Sequence, residues 1–531
     1  MTEKNFESES LVPNKNIFLS IFSKTYILLL ILGVAGVIIR LFTFPYDIPL
    51  GMDATSYFWY ATDMSILGNF PSSEQSHLEH VKIVNNGWPS FLSLIFSMYD
   101  STDIFEYMEL QRFTTMIISV LTVIPVYKLC SRFFSRNYSI IGATIFVFEP
   151  RIILNSFSGT TEASFVFIAA SSLALFLSSN KKIIYCSFAL AAILALIRYE
   201  GLLLLVPLSI MFFVRFRKEK TWIVKYCIIV GIILLILIPM AYIRIETTGE
   251  DGLISHVIKG PKYYQNVSEI QSQESNVYRN FIFDGSTNLI KFLGYSNFPV
   301  FILFAPLGGL LFLRNRNHGK YTIIIVSLLF LLPAFYAYSR NILEIRYLYV
   351  LYPIFCLLSL FTISKLLEKT SKKAAIVFVI IFGVILSSII FIDYKIENYD
   401  HEREAFLIAQ HIDAITKTIN DYHPEDQYYD DFRPSDLETF PISSSSINPR
   451  IKILYTANFD SLGDFLEFGE KKGLSHLVID DNEIRPDFLK DVFHNEEKYP
   501  FLKIVFDSKE NNFEYHVKVF RINFELYEKF R

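Results

Sequence analysis

Charge and cysteine are both in short supply in this chain. Charged residues fill 19% of its 531 positions while 52% are hydrophobic, with 51 Phe and 31 Tyr, and a water-soluble protein could not hide so much apolar surface. A polytopic α-helical membrane protein embedded in a lipid bilayer is the class that remains. Lys and Arg total 49 against 53 Asp and Glu, a net charge of −4, which excludes the broadly basic character of a nucleic-acid binder. Cysteine is confined to Cys130, Cys186, Cys227 and Cys356. All four lie inside or at the ends of apolar runs, so the polar segments have neither a disulfide framework nor a cysteine-based metal site. Packing inside the protein is the expected role of each. Repeats and sustained heptads are also lacking from the polar C-terminal part, where SSSS (Ser443 to Ser446) is the one low-complexity stretch.

What the chain does have is about eleven apolar runs of membrane-span character. They are Tyr26–Phe42, Phe113–Cys130, Tyr138–Leu154, Ala163–Leu177, Ile183–Ile197, Leu202–Val214, Trp222–Ile243, Phe298–Leu313, Tyr321–Tyr338, Tyr347–Ser364 and Ala374–Ile392. Several fall short of the roughly 20 residues a span prefers, which implies tilt or a slightly different number. Basic residues fill every second loop: Arg132 and Arg136, Lys181 and Lys182, Arg215 to Lys220, Arg314 to Lys320, then Lys365, Lys369, Lys372 and Lys373. The positive-inside rule makes those loops cytoplasmic. The N-terminus is then cytoplasmic, and the two long loops, about 43–112 and 244–297, and everything after Ile392 are exoplasmic. The first run lacks a small-residue cleavage site and is preceded at a distance by Lys4, Lys15 and Lys24, the pattern of a retained anchor.

After Asp393 the composition turns polar, and residues 398–531 read as a small soluble exoplasmic α/β domain following a transmembrane domain of residues 1–397. KILYT (Lys452 to Thr456), SHLVIDD (Ser475 to Asp481), FLKIVFD (Phe501 to Asp507) and EYHVKVFRI (Glu514 to Ile522) have strand patterns. Ser461 to Gly473 reads as a helix ending at glycine.

The most informative segment is GMDATSYFWYATDM (Gly51 to Met64), which sets Asp53 beside an aromatic cluster just past the first run. A membrane enzyme acting on a lipid-borne substrate would place a general base there; a solvated loop carboxylate is the plainer alternative. Tyr57, Phe58, Trp59 and Tyr60 suit an amphipathic helix in the interface plane, and they could equally stack on a sugar. Arg198, Arg340 and Arg346 lie at predicted outer ends of spans, where a guanidinium either meets phosphate oxygens, snorkels to the interface or pairs with a neighbour such as Glu200 or Glu344. Glu162 opens the fourth run as a candidate second acid, and Glu149 reads as the cap of a broken helix. His77 and His80, with Glu74 and Glu79, have metal-compatible spacing but read as a solvated polar loop. Asn266 lies in an NVS sequon.

The order of these features resembles the GT-C superfamily of polyprenyl-phosphate-dependent glycosyltransferases, and most closely its protein O-mannosyltransferase and aminoarabinose-transferase group. Asp53, Tyr57, Ala61 and Gly68 match the spacing of that group's first outer loop. NNGWPSFLSLIF (Asn85 to Phe96), FSGTTEASFVF (Phe157 to Phe167), LIRYEGLLLL (Leu196 to Leu205) and EIRYLYVLYPIF (Glu344 to Phe355) resemble its later outer segments, so the likeness covers roughly the first 400 residues. Ala54 and Ser56 depart from a pattern that often has a second acid and a histidine there. Oligosaccharyltransferases of the superfamily carry a Trp-Trp-Asp signature; here Trp59, Trp88 and Trp222 stand apart, which disfavours that activity.

The resemblance implies an inverting membrane glycosyltransferase in a cell envelope, using a polyprenyl or dolichyl phosphate-linked sugar and a protein, glycolipid or glycan acceptor. Asp53 would be the general base and Glu162 a second acidic group that orients the acceptor or helps hold a divalent cation. Tyr57, Arg198 and Arg346 would bind substrate. Lys259 and Lys262, near His256 in a loop that covers the cavity in relatives, would reach the donor phosphate or be ordinary surface charge. Absence of outer cysteines favours a prokaryotic plasma membrane. A transporter or flippase of lipid-linked substrate and a catalytically inactive scaffold are the competing readings.

Overall fold

The computed structural model describes residues 15–46, 48–72, 85–101, 103–260, 262, 280–314, 317–420, 452–454, 456, 459–481 and 485–531. Among these, seven helices are long and apolar enough to cross a membrane: Lys24–Phe42, Ile104–Cys130, Tyr199–Phe216, Trp222–Thr248, His318–Ser339, Ile345–Glu368 and Lys373–Lys395. The remaining apolar runs are shorter or broken. The run from Tyr138 to Leu154 divides into α6 (Arg136–Val147) and α7 (Pro150–Asn155), because Pro150 cannot continue a helix and the Glu149 carboxylate accepts the Ile152 N–H at 2.8 Å, capping the new start. α8 (Glu162–Phe176) and α9 (Ile184–Ile197) are also short. They lie against one another through small residues, with Ser172 and Ser187 each donating to the other's carbonyl at 2.8 and 2.7 Å.

The other helices of the bundle are α1 (Lys15–Phe42), α4 (Ile104–Leu121), α5 (Val123–Cys130), α10 (Leu202–Phe216), α11 (Trp222–Thr248), α12 (Phe281–Asn297), α13 (Ala305–Phe312), α14 (His318–Ser339) and α15 (Tyr352–Glu368). α11 is apolar all round and buries only Ile229, Arg244 and Thr248, the pattern of a helix at the lipid boundary. Cys130 and Cys356 are buried as expected, whereas Cys186 and Cys227 are exposed on α9 and α11. A thiol is a small apolar group, so an outward position on a span costs little.

Between α1 and α4 the first long loop forms α2 (Met52–Leu67) and α3 (Gly87–Phe96). Here the structure corrects the interfacial reading of the aromatics: Tyr57, Phe58, Trp59 and Tyr60 are all buried in the protein core. Phe58 meets Trp59 and Phe96 edge to face at 5.2 and 5.7 Å. α2 is covered by α3 on one side and the bundle on the other, so its rings contribute burial instead of lipid anchoring.

α16 (Lys373–Ile415) runs for 43 residues without a break through the expected boundary at 397/398. Its far end supplies Ala405, Ile408, Ala409 and Ile412 to a small core with Val478, Phe506, Val517 and Val519. Beyond it β1 (Thr418–Asn420) pairs parallel with β2 (Lys452–Leu454), and β3 (His476–Asp480), β5 (Val517–Ile522) and β4 (Leu502–Asp507) form an antiparallel sheet in the order β3-β5-β4. The Ser475 N–H donates to the Thr418 carbonyl at 3.0 Å and links the two sheets. α17 (Leu462–Lys472), α18 (Asp487–His494) and α19 (Phe524–Phe530) complete the domain. α17 starts at a Ser461 cap and ends at Gly473 in the left-handed region, as its sequence predicts. β1, α18 and α19 are elements that strand and helix patterning alone did not pick out.

Candidate active site

The approach to Asp53 is built around one buried arginine. Arg112, on α4, donates through Nε to the Phe157 carbonyl at 3.1 Å, through Nη2 to Pro49 at 2.7 Å, and through Nη1 to Pro45 at 3.1 Å and to Ile48. Pro45 and Pro49 lack a backbone N–H, so this stretch has fewer donors to bond with itself and the guanidinium satisfies its carbonyls instead. Gln111, one residue earlier, donates to Ala54 at 3.1 Å and to Gly159 at 2.8 Å. Together they fix the entry to α2, whose first turn carries Asp53.

From that turn the half-exposed Asp53 carboxylate reaches Arg346, with Oδ2 2.9 Å from Nη1. Arg346 also pairs through Nε with Glu344. A second cluster lies beside the first. Arg198 Nη1 meets Glu162 Oε1 at 2.7 Å, and its Nη2 meets Glu200 Oε1 at 3.0 Å. Glu162 is 4% exposed, and its other oxygen, Oε2, has no hydrogen-bond partner among the described residues. Glu162, Arg198, Glu200 and Arg346 line an open cleft of about 410 Å³, part of it open solvent, together with apolar side chains that include Phe165, Val166, Phe330 and Pro333, and Asp53 meets it through Arg346. Tyr57 lies within electrostatic reach of Asp53, Arg198, Glu162 and Arg346. Burial, and after it the Asp53 charge, pushes its phenol well above the ordinary value, so Tyr57 stays a neutral donor.

Asp53 and Tyr57 from one helix and Glu162, Arg198 and Arg346 from three other segments are thus brought near one another, and Glu200 and Glu344 join them. Lys259 does not: it is exposed and pairs with Glu250. Lys262 is exposed as well. Arg340 is held over the Phe281 and Tyr336 rings at 5.2 and 5.7 Å, away from the cleft. His77, His80 and Asn266 lie outside the described residues. As for a divalent cation, the described side chains do not fit one as they stand. Each carboxylate is turned to a guanidinium, and no group of three His, Cys, Asp or Glu converges among the described residues.

Residues 101–243 match the family model of dolichyl-phosphate-mannose-protein mannosyltransferases. Among solved structures, the Archaeoglobus fulgidus oligosaccharyltransferase in complex with Zn and sulfate is 14% identical, with a TM-score of 0.55 over 85% of this chain and 68% of that one. ArnT from Cupriavidus metallidurans bound to undecaprenyl phosphate is 10% identical, with a TM-score of 0.56 over 93% of this chain and 97% of that one. The chain has the GT-C fold. A further GT-C structure, the archaeal oligosaccharyltransferase AglB from Archaeoglobus fulgidus with an inhibitory peptide and a dolichol-phosphate, is 13% identical, with a TM-score of 0.54 over 86% of this chain and 69% of that one. No curated protein is similar enough in sequence to match. At these identities what is shared is the fold.

Proposed function

We propose that this chain is a membrane glycosyltransferase that moves a sugar from a polyprenyl-phosphate donor to an acceptor hydroxyl with inversion at the sugar carbon. The observation that carries the reading is the convergence of Glu162, Arg198 and Arg346 on one largely apolar cleft, with Asp53 paired to Arg346 and Tyr57 within electrostatic reach of all four. Matching a mannosyltransferase family model and sharing a fold with structures that hold dolichol-phosphate and undecaprenyl phosphate supports a lipid-linked donor.

In this reading the acceptor oxygen attacks the anomeric carbon as the bond from that carbon to the phosphate oxygen breaks. Asp53 takes the acceptor proton. The electron pair leaves with the phosphate, whose growing charge is met by Arg346 and Arg198, since guanidinium forks match phosphate oxygens. The Arg346 guanidinium links Asp53 to the cleft, so base and leaving group are served by adjacent atoms. Glu162 Oε2, buried and unpartnered, accepts a hydroxyl of the sugar or acceptor, and Tyr57 donates a hydrogen bond near Asp53. The positive-inside rule applied to loop charge supports an exoplasmic position for this end of the bundle, and the absence of cysteine from the domain fits a prokaryotic plasma membrane. A transporter would need charge near the bilayer midplane between interrupted helices; the clustered carboxylates and arginines lie together at one end.

The test is sugar transfer by purified protein in detergent from a panel of labelled polyprenyl-phosphate sugars to native membrane extract, with wild type beside Asp53→Asn. Transfer by wild type that is lost in a folded Asp53→Asn protein is the expected result. Donor binding without turnover in wild type would refute the enzyme reading and favour a scaffold or transporter.

A further inference from the structure

A second buried arginine, Arg244, stands at a node that the chemistry above does not use. It lies near the end of α11, a helix otherwise turned to lipid, yet its side chain is 0% exposed. Taking a guanidinium out of water is costly unless its partners are in place. They come from both long loops. Arg244 Nη1 donates to Asn86 Oδ1, and the fully buried Asn86 donates through Nδ2 to the Asp251 carbonyl at 3.2 Å. Gly252 closes the joint. Its φ is +69°, and a Cβ there would stand 2.5 Å from Asn86 Oδ1 and 2.9 Å from Arg244 Cδ, so only glycine admits the contact.

The node reaches the segments that carry both Asp53 and Arg198. Tyr60, buried on the helix that carries Asp53, lies within electrostatic reach of Arg244. Asn86 precedes Gly87, where a Cβ would meet the Leu196 backbone carbonyl carbon at 2.8 Å; the start of α3 therefore rests on the chain that leads into Arg198. From the second loop, the short helix 254–260 brings His256 to within 6.1 Å of the Tyr199 ring, between Arg198 and Glu200 in sequence.

We infer that Arg244 is a positioning residue that clamps the first long loop to the second through Asn86 and Gly252 and thereby sets Asp53 and Arg198 in register. The consequence for transfer rests on the glycosyltransferase reading; the clamp itself does not. Misplacement of a reacting group by about 1 Å costs on the order of a hundredfold in rate, so Arg244→Ala should lower kcat by about 10- to 100-fold with donor KM little changed, and Arg244→Lys should recover part of the loss.

The experiment that isolates the clamp needs no turnover. Asp53→Cys is placed in the full chain, whose native thiols are the buried Cys130 and Cys356 and the exposed Cys186 and Cys227 on apolar helices, and its reaction with a water-soluble maleimide is timed with and without Arg244→Ala. Wild type serves as the blank. The expected result is a several-fold change in labelling rate at position 53, with Arg340→Ala leaving the rate as it was. An unchanged rate in a folded Arg244→Ala protein overturns the inference, whatever happens to its melting temperature. If Arg244→Ala does not fold, Gly252→Ala crowds the same joint with the charge retained, and the same two outcomes apply. Failure of wild type to transfer any sugar would refute the proposed reaction and leave the labelling result to decide the clamp.

Discussion

Replacing Arg346 by glutamine should damage turnover far more than donor binding. Arg346 is mostly buried, holds Asp53 at 2.9 Å and pairs with Glu344 on its other edge. Glutamine can still touch one carboxylate, but it removes the positive charge against which a departing phosphate would be stabilised. Two unit charges about 4 Å apart interact by about 4 kcal/mol at an effective dielectric near 20. The cleft opens to solvent, so about half to two thirds of this is a fairer share, or about 2–3 kcal/mol, equivalent to roughly thirty- to a hundredfold in kcat. That is the scale on which loss of one oxyanion donor is felt elsewhere. Arg346→Lys keeps the charge but cannot fork between Asp53 and Glu344, and should recover about tenfold of the loss. The assay is single-turnover transfer from a labelled polyprenyl-phosphate sugar at saturating acceptor, with donor KM measured in parallel. A kcat within about threefold of wild type for Arg346→Gln, or a loss confined to KM, would refute the reasoning.

The loop collar and the C-terminal domain give two more predictions. Arg112→Met removes hydrogen bonds to four buried carbonyls and should lower stability by about 3–5 kcal/mol, at roughly 1 kcal/mol or more per bond; a melt in detergent that does not shift would show that the 45–49 segment holds itself. In the domain, burial and the nearby Arg521 hold the His476 imidazole below its ordinary 6.5. The unfolded chain therefore binds a proton that the folded one refuses, so the stability from His476 is present above about pH 6.5 and is lost as pH falls below it toward the folded pKa. His476→Gln should flatten the dependence of the domain's melting temperature on pH in that window, and an unaltered slope would assign the effect to other groups.

The cleft was largely legible because charge near hydrocarbon needs a reason. Asp53, Glu162, Arg198 and Arg346 each stand out at the edge of an apolar run, and their sequence neighbours Glu200 and Glu344 are indeed among their partners. Arg112 and Arg244 carry no such signal in sequence, where each is one more basic residue at the edge of an apolar run. Their burial is a product of loops folding back over them, which no periodicity records. The aromatic quartet from Tyr57 to Tyr60 misled for a related reason: a ring beside a membrane span has the same composition whether it faces headgroups or a neighbouring helix. In the C-terminal domain β3, β4 and β5 show their pattern, and the three-residue β2 lies within the apolar run KILYT, whereas the equally short β1 follows the end of α16 directly with no run of its own.

The unbroken course of α16 has a mechanical meaning. A 43-residue helix is about 65 Å long, and near its far end Phe406 rests edge to face on Phe105 at 5.6 Å, at the start of α4. The Tyr515 N–H also donates to Glu404 at 2.6 Å, tying sheet to helix. A domain on a flexible tether samples a cloud whose radius grows with the square root of the linker length; one built onto a continuing span has a fixed stand-off from the bilayer. Anything that docks on the domain is consequently presented to the cleft at a set height and bearing, so the helix works as a caliper, and inserting or deleting residues in it would change which part of a docked molecule lies over Asp53.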